Sequence, residues 1–168
     1  MSVLMDYLPL TVFLIGCGLL VWLALYDLKH MRLPNIYVYL FALCGLLFHA
    51  ATSFLYLGKA EVILGGTVAF ILLYVIRLVS SRLYKREALG FGDVKLLAAA
   101  GLWLGPLGFS YALTLGAFCV VLYGLLTALF IKMRTGIWHL RQLKVPAGPG
   151  FIIGILVMLV IQYGTALF

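Results

Sequence analysis

Asp27 closes the first long apolar stretch, as Ala24-Leu25-Tyr26-Asp27, and Asp93 closes the run Gly90-Phe91-Gly92-Asp93. Only five residues of the chain are acidic, yet two of them lie at the edges of membrane-length apolar segments. A charged side chain at bilayer depth costs about 2.5–3.5 kcal/mol even on the most lenient scale. Two carboxylates in one dry site cannot both ionise cheaply, so they share a proton. Such a pair suits general acid–base hydrolysis.

Each acid also has a plainer reading. Asp93 suits a helix cap, where the positive end of the dipole favours an anion. Asp27 sits at a helix C-terminus, which disfavours an anion, and would need Lys29, Arg32 or Lys95 as an ion-pair partner. The same dipoles make Asp93 the easier of the two to ionise and hence the resting base. Gly90 and Gly92 flank the bulky Phe91 and permit close backbone approach, so an extended substrate could reach the carboxylate. Lys95 either tunes the pair's charge, or holds an acidic substrate residue, or extends to the headgroups. Asp6, Glu61 and Glu87 read as solvated.

The elements that position these residues must be membrane helices. Of the 168 residues, 65% are hydrophobic and 10% charged, and the mean hydropathy is +1.19. Soluble domains carry about 25% charged residues. The first residues hold an acid and no base, and no small-residue cleavage site interrupts the first apolar run, so that run reads as a retained helix. Cys17, Cys44 and Cys119 are scattered through apolar segments with no metal-ligand spacing and read as small core residues. No metal or other cofactor is expected. The net charge of +7 fits charge bias between membrane faces and contact with lipid headgroups rather than nucleic acid.

A span needs about 20 mostly apolar residues. Runs 8–26, 36–57, 62–79, 107–131 and 150–167 are long enough or nearly so, and 94–104 is short. Charge parity decides whether the short run crosses. With six spans, eleven Lys and Arg residues face one side and Lys59 alone faces the other; with five spans the division is seven to five. The positive-inside rule therefore favours six, with the basic face cytoplasmic and both termini outside. Both aspartates then lie near the cytoplasmic face. Non-helical backbone at Gly90 and Gly92 is tolerated there only if it is buried in protein or lines a wet cavity. Leu33-Pro34-Asn35 reads as a turn. Pro106 separates spans four and five, and Pro146-Ala147-Gly148-Pro149-Gly150 is a rigid lead-in to span six. Gly101-x-x-x-Gly105 and Gly150-x-x-x-Gly154 suit close helix contacts. Tyr84 and Trp138 fall where interfacial aromatics lie.

Two motifs carry a resemblance to a known group. The first is Asp27-Leu28-Lys29-His30-Met31-Arg32-Leu33-Pro34-Asn35. The second is Gly90-Phe91-Gly92-Asp93-Val94-Lys95, followed by a small-residue helix. In these the chain resembles the type IV prepilin peptidases, aspartyl proteases of the G-x-G-D membrane class. The resemblance implies an all-α, polytopic membrane peptidase domain over residues 1–168, with about six transmembrane helices and the fourth short and reached through the Gly90–Asp93 loop. It implies Asp27 and Asp93 as the catalytic pair. Gly90, Phe91, Gly92, Lys95, Pro34 and Asn35 would position loop and substrate. It further implies a prepilin or pseudopilin substrate, cut at the cytoplasmic side of the inner membrane just before its hydrophobic helix. Longer members carry an additional N-terminal region, often with paired C-x-x-C motifs, and also methylate the new N-terminus. This chain starts at span one, so the short peptidase-only form of tight-adherence (Flp) pili is the nearer likeness. Ala147 stands where the family often has an aromatic. Two other classes compete: a small proton- or cation-coupled transporter, and a presenilin-like intramembrane protease. The first leaves the spacing from Asp27 to Pro34-Asn35 unexplained, and the second lacks its Pro-Ala-Leu motif here.

Overall fold

In the computed structural model the described residues are 2–84, 89–135 and 146–164, and all secondary structure among them is helical. The helices are α1 (Ser2–His30), α2 (Asn35–Ala51), α3 (Lys59–Tyr84), α4 (Phe91–Thr135) and α5 (Gly148–Leu159), the last running into a π-helical turn at Val160–Gly164. Tyr7–His30, Lys59–Leu83 and Phe91–Met133 are each long and apolar enough to cross a membrane, while Asn35–Ala51 and Gly148–Gly164 are shorter apolar helices. Large apolar side chains such as Leu14, Ile15, Leu107 and Leu125 point outward. Burial among helices cannot explain an apolar surface this extensive, whereas contact with lipid can. Lys85, Arg86, Glu87, Trp138, Arg141 and Lys144, and the side chain of Tyr84, lie outside the described residues.

The predicted second span is shorter than expected. It stops at Ala51 rather than residue 57, because the Thr52 hydroxyl donates to the Phe48 and His49 carbonyls and Ser53 and Phe54 take positive φ. The predicted fourth and fifth spans appear as one helix, α4, with a break inside it. At 1.5 Å per residue its 45 residues would reach about 67 Å, twice the thickness of a bilayer core. Gly105 interrupts it at φ 69°, ψ −178°, and Pro106 follows. Glycine is the residue that reaches this region of φ/ψ at low cost, and proline keeps its predecessor out of the helical region.

The two halves of α4 pack against different neighbours. In the first half, Gly101 and Gly105 press against the backbone of Gly65 on α3, where a Cβ on Gly65 or Gly101 would collide. In the second half, Gly108 meets Gln162, Gly116 meets Phe151 and Val120 meets Gly150. That order runs down the chain of α4 and back along α5, so the two are antiparallel. Both glycine pairs singled out for close helix contacts thus lie at such contacts.

Trp103, fully buried, is the hub of the core. Its indole fills the space left by Gly16 on α1 and Gly45 on α2 and donates to the Phe41 carbonyl at 2.9 Å. The break at Gly105 frees carbonyls in the turn before it, and two side chains take up that of Trp103. The Tyr163 hydroxyl donates to it, and so does His49 Nε2 at 3.1 Å. A carbonyl only accepts, so His49 Nε2 carries a proton, and among the described residues the buried Nδ1 has no hydrogen-bond partner.

Candidate active site

Asp27 lies in the last turn of α1, and its carbonyl accepts from Met31 N at 2.8 Å as the helix ends. Met31 turns the chain with φ 51°. A left-handed residue commonly follows a helix, but it is usually glycine or asparagine. A methionine there carries local strain of about 1 kcal/mol or more, of the kind that gathers at functional sites. Pro34, in extended conformation, caps α2, whose first residue is Asn35.

Asp93 is not the cap of its helix. Gly90 is the cap, since its carbonyl accepts the first helical bond, from Val94 N at 3.3 Å. Asp93 stands three residues on, and its carboxylate takes the Gly90 amide, the half of a capping box that a third-position acid supplies. A Cβ on Gly90 would lie 2.9 Å from Asp93 Oδ2, and one on Gly92 would lie 3.0 Å from Leu33 Cβ. Both glycines are therefore closely approached by the protein itself, and they bring the start of α4 against the Leu33-Pro34 turn. Arg77 donates to the Leu89 carbonyl at 2.9 Å and lies 5.4 Å from the Phe91 ring centroid, which holds the same loop from α3.

The two aspartates line one cavity of about 340 Å³, together with Asn35, Gly90, Phe91, Gly92 and Lys95. Of the residues proposed from sequence, only Pro34 is outside the lining. Met31, Arg32 and Leu33 complete it. Lys95 joins the two motifs: its amine donates to Asn35 Oδ1 at 3.2 Å and sits 4.7 Å from the Phe91 and 5.5 Å from the Tyr39 ring centroid. Among the described residues no three His, Cys, Asp or Glu side chains come together as metal ligands.

Gly148 is the residue that sequence reasoning missed. Asp27 is 5% exposed, and its carboxylate accepts the backbone amide of Gly148, the first residue of α5. A Cβ on Gly148 would lie 2.5 Å from Asp27 Oδ2. An anion at the end of α1 faces an unfavourable dipole, and the N-terminus of α5 supplies the donor and the positive dipole end instead. Both acids therefore face a helix N-terminus, which narrows the dipole difference behind the expectation that Asp93 is the resting base. The one visible signal for Gly148 was the Pro-x-Gly-Pro lead-in.

The model of the type IV leader peptidase family matches residues 14–125, about two thirds of the chain, with Asp27 and Asp93 inside the match. The chain belongs to this family. Among curated relatives, the type 4 prepilin-like proteins leader peptide-processing enzyme of Escherichia coli O78:H11 is 34% identical over 101 residues, 60% of this chain and 37% of its own length. The prepilin leader peptidase/N-methyltransferase of Dickeya chrysanthemi is 41% identical over 88 residues, 52% of this chain and 30% of its own. The enzyme of that name from Aeromonas salmonicida is 31% identical over 130 residues, 77% of this chain and 42% of its own. The chain thus spans between 30% and 42% of the length of these family members. No solved structure matches it.

Proposed function

We propose that this chain is an aspartyl endopeptidase of the inner membrane that removes the short basic leader of prepilin-like proteins at the cytoplasmic face. The observation that carries the proposal is the cavity shared by Asp27 and Asp93 in a member of the leader peptidase family. The six crossings, with both termini outside, rest on charge parity. The break at Gly105 agrees with that count, because the second half of α4 runs back along α5 toward Gly148 and Asp27.

The chemistry follows from the arrangement. A water between the carboxylates gives a proton to the ionised acid and attacks the scissile carbonyl. The protonated acid donates to the carbonyl oxygen as it gains charge. The tetrahedral adduct collapses when the leaving amine takes a proton from the pair, and the dyad returns to its starting state. Phe91 and the walls of the cavity limit water, which strengthens both carboxylate interactions. Lys95, held by Asn35, keeps a cation beside the pair.

Co-expression with a prepilin bearing a basic leader tests the proposal. The wild-type chain should shorten the substrate. Asp27→Asn and Asp93→Asn should each abolish processing while accumulating in the membrane at wild-type level. Either variant cutting at the native rate would remove the dyad.

A further inference from the structure

A second, larger cavity of about 730 Å³ runs between α2, α3 and the first half of α4. It is a groove open on one side rather than an enclosed void. Its lining is mostly apolar, with small residues such as Ala42, Thr67 and Ala98 between the larger Ile63 and Phe70. Ile63 is 62% exposed and Tyr39 58% exposed, so large side chains along the groove face outward. The Thr67 hydroxyl is already bonded to the Ile63 carbonyl at 2.8 Å and adds no unpaired polar group.

The groove is continuous with the acid cavity: Phe91 and Lys95 line both. From Phe91 to Leu102 it follows α4 for twelve residues, a rise of about 16 Å or three helical turns. It thus leads from the carboxylates into the apolar depth of the protein and opens sideways on the way. Small residues on its floor let another helix approach closely, and in a bilayer such packing drives helix association.

We infer that this groove holds the apolar helix of the substrate, which enters laterally from the bilayer and passes over Phe91 and Lys95 into the acid cavity at the bond to be cut. The inference rests on the peptidase reading and adds the place where the substrate's membrane segment lies. Continuity favours a peptide over a lipid tail. A chain leaving the groove at Lys95 meets the two carboxylates, whereas an acyl chain has no group for them to act on. The residues just after the scissile bond would be selected by the groove and the leader by the cavity.

Two measurements test it. A photo-crosslinking residue is placed at Thr67 in the Asp27→Asn background, in membranes holding a prepilin with its leader and apolar helix. The expected adduct is with the substrate's apolar helix, and the same probe at Leu125, outward-facing on the second half of α4, gives lipid adducts only. Adducts at Thr67 with lipid alone, or with a second copy of this chain, would overturn the assignment. Separately, Ala98→Phe fills the groove floor and should lower kcat/KM about tenfold or more, chiefly through KM. Native kcat/KM in this variant would also overturn it. If Ala98→Phe does not fold, the Thr67 result decides. A wild-type chain that cuts no leader sinks the peptidase reading and this inference together. A wild-type chain that cuts, with no substrate at Thr67, sinks the groove alone.

Discussion

Gly148→Ala isolates the contact that sets the position of Asp27. A Cβ at residue 148 would lie 2.5 Å from Asp27 Oδ2 and 2.9 Å from its Cγ, where ordinary contact begins at 3.4 Å. The carboxylate must therefore retreat by about 0.9 Å or α5 must shift by as much, and a misplacement of about 1 Å in a reacting group costs on the order of 100-fold in rate. The accompanying overpacking costs about 1–3 kcal/mol of stability. Gly18→Ala supplies the control, because a Cβ there meets nothing within 4 Å. That change in a helix interior should stabilise by about 0.5–1 kcal/mol and leave cleavage unchanged. The assay is leader removal by purified protein in detergent micelles, with thermal unfolding followed in parallel. A folded Gly148→Ala protein whose kcat/KM stays within about threefold of wild type would refute the link between α5 and the acid pair.

Two further outcomes follow from the geometry. Gly105→Ala should lower stability by about 1–3 kcal/mol, since φ 69° with ψ −178° is a glycine conformation; an unchanged melting temperature would mean that the break is not required. Asn35→Ala removes the acceptor that holds the Lys95 amine at 3.2 Å. It should reduce kcat/KM about three- to tenfold, with stability changing by less than about 1 kcal/mol, and unchanged kinetics would show that Lys95 needs no such anchor.

The acid pair was legible in the sequence because a carboxylate in an apolar stretch is expensive, and the expense can be read locally. The same is true of the break at Pro106. Its form was less legible. Residue 105 carries the whole change of direction without a polar loop, and only the contacts of Gly65 on one side and Gly108 on the other reveal it. Gly90 and Gly92 were visible as special, but the close approach of Asp93 to one and Leu33 to the other was not. Gly148 was hidden for the same reason. A missing side chain shows that something approaches closely, but the neighbour, Asp27, lies 121 residues away in the chain. Trp103 looked like any apolar residue, though the carbonyl freed beside it explains why His49 and Tyr163 are buried.

The Gly148 amide on Asp27 also bears on synthesis. α1 is made before α5, so Asp27 waits for its donor until a further 121 residues of chain have been made. A growing or truncated chain that stops short of Pro146 holds both aspartates but not the amide that positions one of them. On the peptidase reading, a chain stopped before α5 would be harmless to the other apolar helices entering the same membrane.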